Sequence, residues 1–331
     1  MLGQRGCRVL TDITVRGYDA LVIENEVLRV MVLPGKGTDV VEFLHKPTDC
    51  DFTWGTAWGL RERGLCDGFI LNYEGGWQEV FPNGGTPCQY NGADLRQHDE
   101  AALLPWDWTV VEQSADRVAV RFTVDLHKTP FRLVKTLRLR SREARLVIEE
   151  TVLNLSPFAQ RAMWGHHFAF GGPFLEPGCR IVTPAKTARV EDEPLESRRF
   201  QAGCHEWPLI PGKDGTVYDA SRLPEPGSGR DIVYLADFPT GVYQIVSPRL
   251  GVVLGVEWDK AVFPDCWFWQ EFGADGFPWY GRHYNIGLEP FCGYPTHGLR
   301  EAVDNGSAMT VQGGQTLSTA LAVSVQTLTG P

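Results

Sequence analysis

Interruption is what most constrains this chain. Its 36 glycines and 22 prolines, 58 of 331 residues, leave helices of ordinary length little room. Between the interruptions lie short apolar runs of period two. Residues 20–23 and 27–33 flank Glu24-Asn25-Glu26, and residues 108–112 and 117–126 flank Ser114-Ala115-Asp116. Thr136-Leu137-Arg138-Leu139-Arg140 alternates cleanly, and Ser141-Arg142-Glu143 turns it into a branched run over 145–155. Alternation of this kind places one face in a core and the other in water, as in antiparallel sheets. Similar runs return at 231–236, 241–247, 251–258 and 315–325. Some sixteen to eighteen strands are expected, without strand–helix alternation or a fixed repeat, which excludes doubly wound and TIM plans. The expectation is an all-β chain, a large antiparallel β-sandwich in one domain over 1–331. Only residues 93–104 read as a possible helix, with poor apolar spacing. Residues 184–229, rich in charge, proline and glycine, read as an irregular excursion, a loop at a cleft rim or a partner contact.

Charge and composition narrow the function. With 31 Lys+Arg against 41 Asp+Glu the net charge is −10, which argues against a nucleic-acid partner. No apolar run approaches the ~20 residues of a membrane helix, so no membrane partner is expected. The N-terminal stretch lacks the apolar core of a secretory signal. Eight scattered cysteines without a C-x-x-C pair then read as reduced thiols in a cytoplasm.

Four segments carry the chemistry. Glu74-Gly75-Gly76-Trp77-Gln78-Glu79-Val80-Phe81-Pro82-Asn83-Gly84-Gly85 is a glycine-rich loop without the Lys-Ser/Thr of a phosphate cradle. His98 lies beside Asp99 and Glu100 and is either a solvated surface group or a site residue. His166 and His167 sit in the aromatic run 163–170; on a strand they face opposite ways, so one imidazole can enter a given cleft. Glu289 interrupts an apolar strand over 285–291 that is expected to stop at Pro290. Its carboxylate either pairs with a cation such as Arg282 or titrates high. Zinc-type spacings and a serine nucleophile elbow are missing, so neither metal nor cofactor is expected. Imidazole, carboxylates and 11 tryptophans point to a small-molecule carbohydrate, whose C–H faces stack on aromatic rings while polar groups bond its hydroxyls.

Taken in order, these segments resemble the aldose 1-epimerase (galactose mutarotase-like) superfamily, especially its hexose-6-phosphate mutarotase-like branches. Gly75-Gly76 with Phe81-Pro82 and Gly84 is similar to that family's Gly-Gly-Ile-Pro loop. His98 and Ala101 with Leu104-Pro105-Trp106-Asp107 resemble its His-Gly-Phe-Ala-Arg segment and the Pro-Trp-Glu that follows. His167-Phe168-Ala169-Phe170 resembles the strand of the catalytic histidine, and Gly287-Leu288-Glu289-Pro290 that of the catalytic glutamate. The chain departs from the pattern at Glu74, where sugar-phosphate mutarotases carry Arg, at Asp99 for Gly, at Ala102 for Arg, and at Phe168 for Pro. It therefore reads as a divergent branch.

The resemblance implies a mutarotase that interconverts the α and β anomers of a free hexose-type sugar, with Glu289 as base and His167 as acid, acting without cofactor or metal as a monomer or homodimer. His98 and His166 are candidates for hydroxyl or ring-oxygen contacts, with Trp77, Asn83, Trp269, Gln270 and Arg282 lining the cleft. Glu74 and Glu79, bracketing the loop, imply a neutral sugar rather than its 6-phosphate or uronic acid. The competing classes are a non-catalytic carbohydrate-binding protein on the same sandwich and another sugar isomerase or lyase using the same pair.

Overall fold

The computed structural model describes residues 6–64, 68–192 and 199–328. Alternation does what it implies: two antiparallel sheets stack with their apolar faces inward. The twelve-stranded sheet runs Arg8–Val15, Tyr18–Glu24, Leu28–Leu33, Asp39–His45, Trp77–Val80, Trp164–Gly171, Tyr284–Cys292, Asp265–Phe272, Gly229–Ala236, Thr187–Val190 and Gly203–Glu206, with Cys50–Asp51 beside Asp39–His45. The eight-stranded sheet runs Arg180–Val182, Gly241–Ser247, Val252–Trp258, Thr316–Thr327, Arg145–Asn154, Phe131–Arg140, Arg117–Asp125 and Asp107–Gln113. One apolar core joins them, with Val30, Val32 and Phe43 from the first sheet and Val120, Phe122, Leu137 and Ile148 from the second.

Three sequence expectations need correction. The excursion is not a surface loop. Thr187–Val190 and Gly203–Glu206 extend the large sheet, Leu209–Pro211 pairs with Val217–Asp219, and Ala188, Phe200, Trp207, Ile210 and Leu223 enter the core. Residues 193–198 of that stretch lie outside the described residues. Residues 93–104 are not a helix but a strand Ala93–Leu95 and one 3-10 turn, Ala101–Leu103; the α-helical turns fall at Phe69–Asn72 and Leu299–Asp304. The described residues hold 26 strands, because pieces of two to four residues such as Cys50–Asp51 and Cys88–Tyr90 are too short to show a period. No helix among the described residues is long and apolar enough to cross a membrane.

The core contains an ionic knot. Alternation in Phe131–Arg140 puts Lys135 on the inward register with Leu133 and Leu137, and in Arg145–Asn154 it puts Glu150 inward with Ile148 and Val152. Lys135 and Glu150 are direct cross-strand partners, as are Glu79 and His166 in the facing sheet. Across the interior the Lys135 ammonium lies 2.8 Å from Glu79, and His166 Nε2 lies 2.9 Å from Glu150. Burial alone would raise Glu79, but Lys135 and His166 outweigh it and hold the carboxyl at about 2. Burial and the Glu79 charge push Glu150 up to about 7. Burial lowers the His166 ring, yet its two carboxylates outweigh that and raise it. Glu79, Glu150 and His166 have a spacing that could hold a metal, but the Lys135 ammonium already supplies a cation there.

Removing one member of such a buried set strands the others without compensation. Lys135→Met is expected to lower the unfolding free energy by about 3–5 kcal/mol, measured by urea denaturation.

Candidate active site

The strands Trp77–Val80, Trp164–Gly171, Tyr284–Cys292 and Asp265–Phe272 lie side by side at the centre of the large sheet. His167 pairs with Gln78, and Glu289 pairs with Trp267. Between the middle two strands, Gly165 pairs with Phe291 and Ala169 with Gly287, a register that sets His167 opposite Glu289. Directly opposed residues share a face, so Gln78, His167, Glu289 and Trp267 form a row on the outer face. The strand does not stop at Pro290 as expected but continues through it to Cys292. Proline brings no N–H to the ladder there.

His167, Glu289 and Trp267 of this row floor a cleft of about 300 Å³, at the small end for ligand sites and suited to one sugar ring. His167 Nε2 lies 3.7 Å from Glu289 Oε1. Tyr73 Oη lies 3.2 Å from His167 Nδ1. Burial and neighbouring carboxylates raise the Tyr73 phenol well above its ordinary value, so it stays protonated beside Nδ1, while the Nε2 edge of the ring is turned toward Glu289. His98 Nδ1 accepts the Gly85 N–H at 3.2 Å, which puts its proton on Nε2, and its ring meets that of His167 edge to face at 5.4 Å. Trp269 stands 5.6 Å from both His167 and Trp279, and Trp279 stacks on Trp58 at 5.6 Å.

Burial without a paired cation raises the Glu289 carboxyl well above the ordinary range. Burial pushes the His167 ring down to about 4, and it pushes the His98 ring well down too. Burial therefore favours the protonated carboxyl and the neutral form of both imidazoles. Gly287 makes room for the carboxylate, since a Cβ there would stand 2.3 Å from Glu289 Oε1. Gly75 has φ +99°, and a Cβ there would meet the Trp54 carbonyl oxygen at 2.1 Å. Glycine is required for the loop that follows Tyr73 to pass that close to the backbone.

Of the nine residues singled out from sequence, His98, His167, Trp269 and Glu289 meet in the cleft. The other five lie elsewhere. Trp77 alternates with Gln78 and so faces the core, where its ring packs on Phe43 and Phe168 and its indole N–H reaches the Ala169 carbonyl. His166 alternates with His167 and joins the buried ionic knot. Gln270 alternates with Trp269 and accepts a hydrogen bond from Arg199 at 2.6 Å. Asn83 is a loop clamp: its amide donates to Thr86 and Arg96 carbonyls and its oxygen accepts from Leu299 N–H. Arg282 is exposed and makes no pair with Glu289. Glu74 is also absent from the cleft; it is buried 2.7 Å from Lys36, which binds Asp39 as well. With Glu79 in the core, neither acid supports the expected bias toward neutral sugars.

Sequence reasoning missed Phe69, Tyr73, Trp279 and Arg230, which line the same cleft. Tyr73, just ahead of Glu74-Gly75-Gly76, and Trp279, within Phe277-Pro278-Trp279-Tyr280, adjoined segments already marked and could have been drawn in by proximity. Arg230 had no such signal.

The fold is that of solved proteins described as galactose mutarotase-like or provisionally as aldose 1-epimerases. A protein of Klebsiella pneumoniae bearing the provisional name aldose 1-epimerase superimposes with a TM-score of 0.72 at 14% identity, over 96% of this chain and 83% of that one. A galactose mutarotase-like protein of Clostridium acetobutylicum gives 0.66 at 12%, over 97% and 99%. A protein of Escherichia coli K12 with the same provisional epimerase name gives 0.65 at 14%, over 93% and 98%. Residues 15–325 match a family described as a domain of unknown function, DUF4432, and the chain belongs to that family. No curated protein matches the sequence.

The buried, neutral His167 has a measurable signature. Its folded pKa of about 4 lies below its ordinary 6.5, so it carries no penalty above pH 6.5. As pH falls from 6.5 to about 4, the unfolded chain takes up a proton that the folded site refuses, and stability drops over that window. An NMR titration is expected to show His167 neutral down to about pH 4, and His167→Asn should lessen the loss of stability over the same range.

Proposed function

We propose that this protein is an aldose 1-epimerase-type isomerase that interconverts the α and β anomers of an aldose in the Glu289–His167 cleft. One observation carries the reading: His167 Nε2 and Glu289 Oε1 face each other at 3.7 Å on a cleft floor bounded by Trp267, Trp269 and Trp279. Both oxygens that exchange protons in this reaction, the C1 hydroxyl and the ring oxygen, are bonded to C1. Acid and base must therefore stand side by side, as neighbours on adjacent strands do.

Glu289 takes the proton of the C1 hydroxyl. The freed electron pair forms the C1 carbonyl as the bond from C1 to the ring oxygen breaks, and His167 protonates that oxygen. Rotation about C1–C2 presents the other carbonyl face, and the reverse transfers close the ring as the opposite anomer. The pair needs one proton between its two members, which is what its environment holds: burial keeps a proton on the carboxyl and off the imidazole. Carboxylic acid with imidazole and carboxylate with imidazolium differ only in where that proton sits. Hydroxyls donated by a bound sugar favour the carboxylate form. Tyr73 keeps the imidazole turned with Nε2 toward the reacting atoms, and Trp269 offers a face for the C–H side of the ring.

Glu289→Gln and His167→Asn are each expected to lower kcat by ~10²-fold or more, the scale of general acid–base groups, followed by polarimetry or NMR exchange on a panel of aldoses. Wild-type rates in either variant would overturn the assignment. Gly287→Ala tests placement rather than chemistry. Its methyl displaces the free end of Glu289, so kcat should fall by ~10²-fold while the thermal unfolding transition stays close to wild type.

A further inference from the structure

We infer that the cleft is built for an aldose carrying a single carboxylate, a hexuronate-type sugar, with Arg230 as its anion clamp; this rests on the anomerase reading above. Arg230, Ile232 and Tyr234 occupy one face of the strand Gly229–Ala236, and Arg230 and Ile232 line the cleft. Arg230 is the one lysine or arginine among the described residues of the lining. It is half-buried, and its Nε is shielded from solvent without a hydrogen-bond partner.

Among the described residues, neither neighbouring acid forms an ion pair with it. Asp231, its neighbour in sequence, is bound by Arg199. Glu271, opposite Arg230 in register, accepts the Ala274 N–H at 2.8 Å. Glu289 lies two strands across and four residues along from it and forms no ion pair with it. A half-buried guanidinium that forms no ion pair among the described residues can be completed by an anionic group on the ligand.

Position and charge specify that group further. Successive registers place Arg230 four residues along the strand direction and two strands across from Glu289. At ordinary rise and spacing that separates the two backbones by about 13 Å along and about 10 Å across. The long arginine side chain closes part of this gap, leaving the span of a sugar ring between a reacting C1 and a charged group on its far side. A carboxylate presents two coplanar oxygens to the guanidinium fork and one charge to one cation. A phosphate dianion would leave a charge uncompensated, in a cleft whose other ionisable groups are carboxyls and neutral imidazoles. Glu74 and Glu79 do not oppose an anion, being bound to Lys36 and Lys135 away from the cleft.

The test compares kcat/KM for anomer exchange, by NMR at ~0.1 M salt where long-range fields are damped, for glucuronate and galacturonate, the matching neutral aldoses and their 6-phosphates, with binding of each sugar followed by ligand-observed NMR. The uronate is expected to exceed both comparators by tenfold or more. Arg230→Gln should cut the ratio of uronate to neutral kcat/KM by ten- to a hundredfold, with Arg230→Lys restoring it only in part. Catalysis that favours the neutral sugar or the phosphate, or a ratio unmoved by Arg230→Gln, overturns this inference and leaves the anomerase reading standing. Arg230-dependent uronate binding with no exchange of any aldose supports the inference and overturns the anomerase reading. If no sugar is bound or turned over, both fall.

Discussion

Four charged or polar side chains buried between the sheets organise this molecule. Lys135 and Glu150 face each other on one sheet and Glu79 and His166 on the other, and each pair is answered across the interior. Buried charges contribute little net stability compared with well-packed apolar groups, but they tolerate few arrangements. A one-residue slip of either sheet would turn its two members of the set outward and leave the other sheet's members unpaired in the core. The set therefore specifies register, and register decides which side chains reach the outer face.

The cleft depends directly on that register. Glu79 and His166 stand next to Gln78 and His167, so the strands that anchor the knot on their inner face carry the cleft floor on their outer face. On the following strand, Gly287 leaves space beside Glu289, and Pro290 replaces a ladder donor with a ring. The acid–base pair is thus a sheet feature, held by flanking backbone pairing rather than by a mobile loop. Loops supply the walls: Tyr73 holds the Nδ1 edge of His167 and Trp279 extends the aromatic side.

Burial decides the electrostatics of the floor. Removing water raises the carboxyl and lowers the imidazole, so burial alone drives the two groups toward their uncharged forms. The aromatic wall is part of this effect, since the same rings that would stack on a sugar keep water from both groups. Charge elsewhere on the chain does not describe the cleft. Overall the protein carries −10, yet the lining contains a guanidinium with no ion pair among the described residues, and the acids nearest in sequence to the glycine-rich loop are bound to buried lysines.

The period-two runs and dense turn residues determined the all-β sandwich by themselves, because alternation admits one way of burying a face. The order of short motifs also marked His98, His167 and Glu289, the last two because an imidazole or carboxylate inside an apolar strand is visible without coordinates. Alternation even implied that only one of His166 and His167 could face a cleft, though not which one. Lys135 and Glu150 stood on apolar registers in plain view, but their partners lay in another sheet. That is the limit in physical terms: a sequence shows the period of each strand, not which side faces inward or what lies across from it. Trp77, Gln270 and His166 went to the core because their neighbours took the outer face. Glu74 went to Lys36, and Arg282 stayed in solvent. Tyr73, Trp279 and Arg230 reached the cleft from separate loops and strands, brought together by strand pairings that include Trp164–Gly171 with Tyr284–Cys292, over a hundred residues apart. Those pairings belong to the tertiary structure alone.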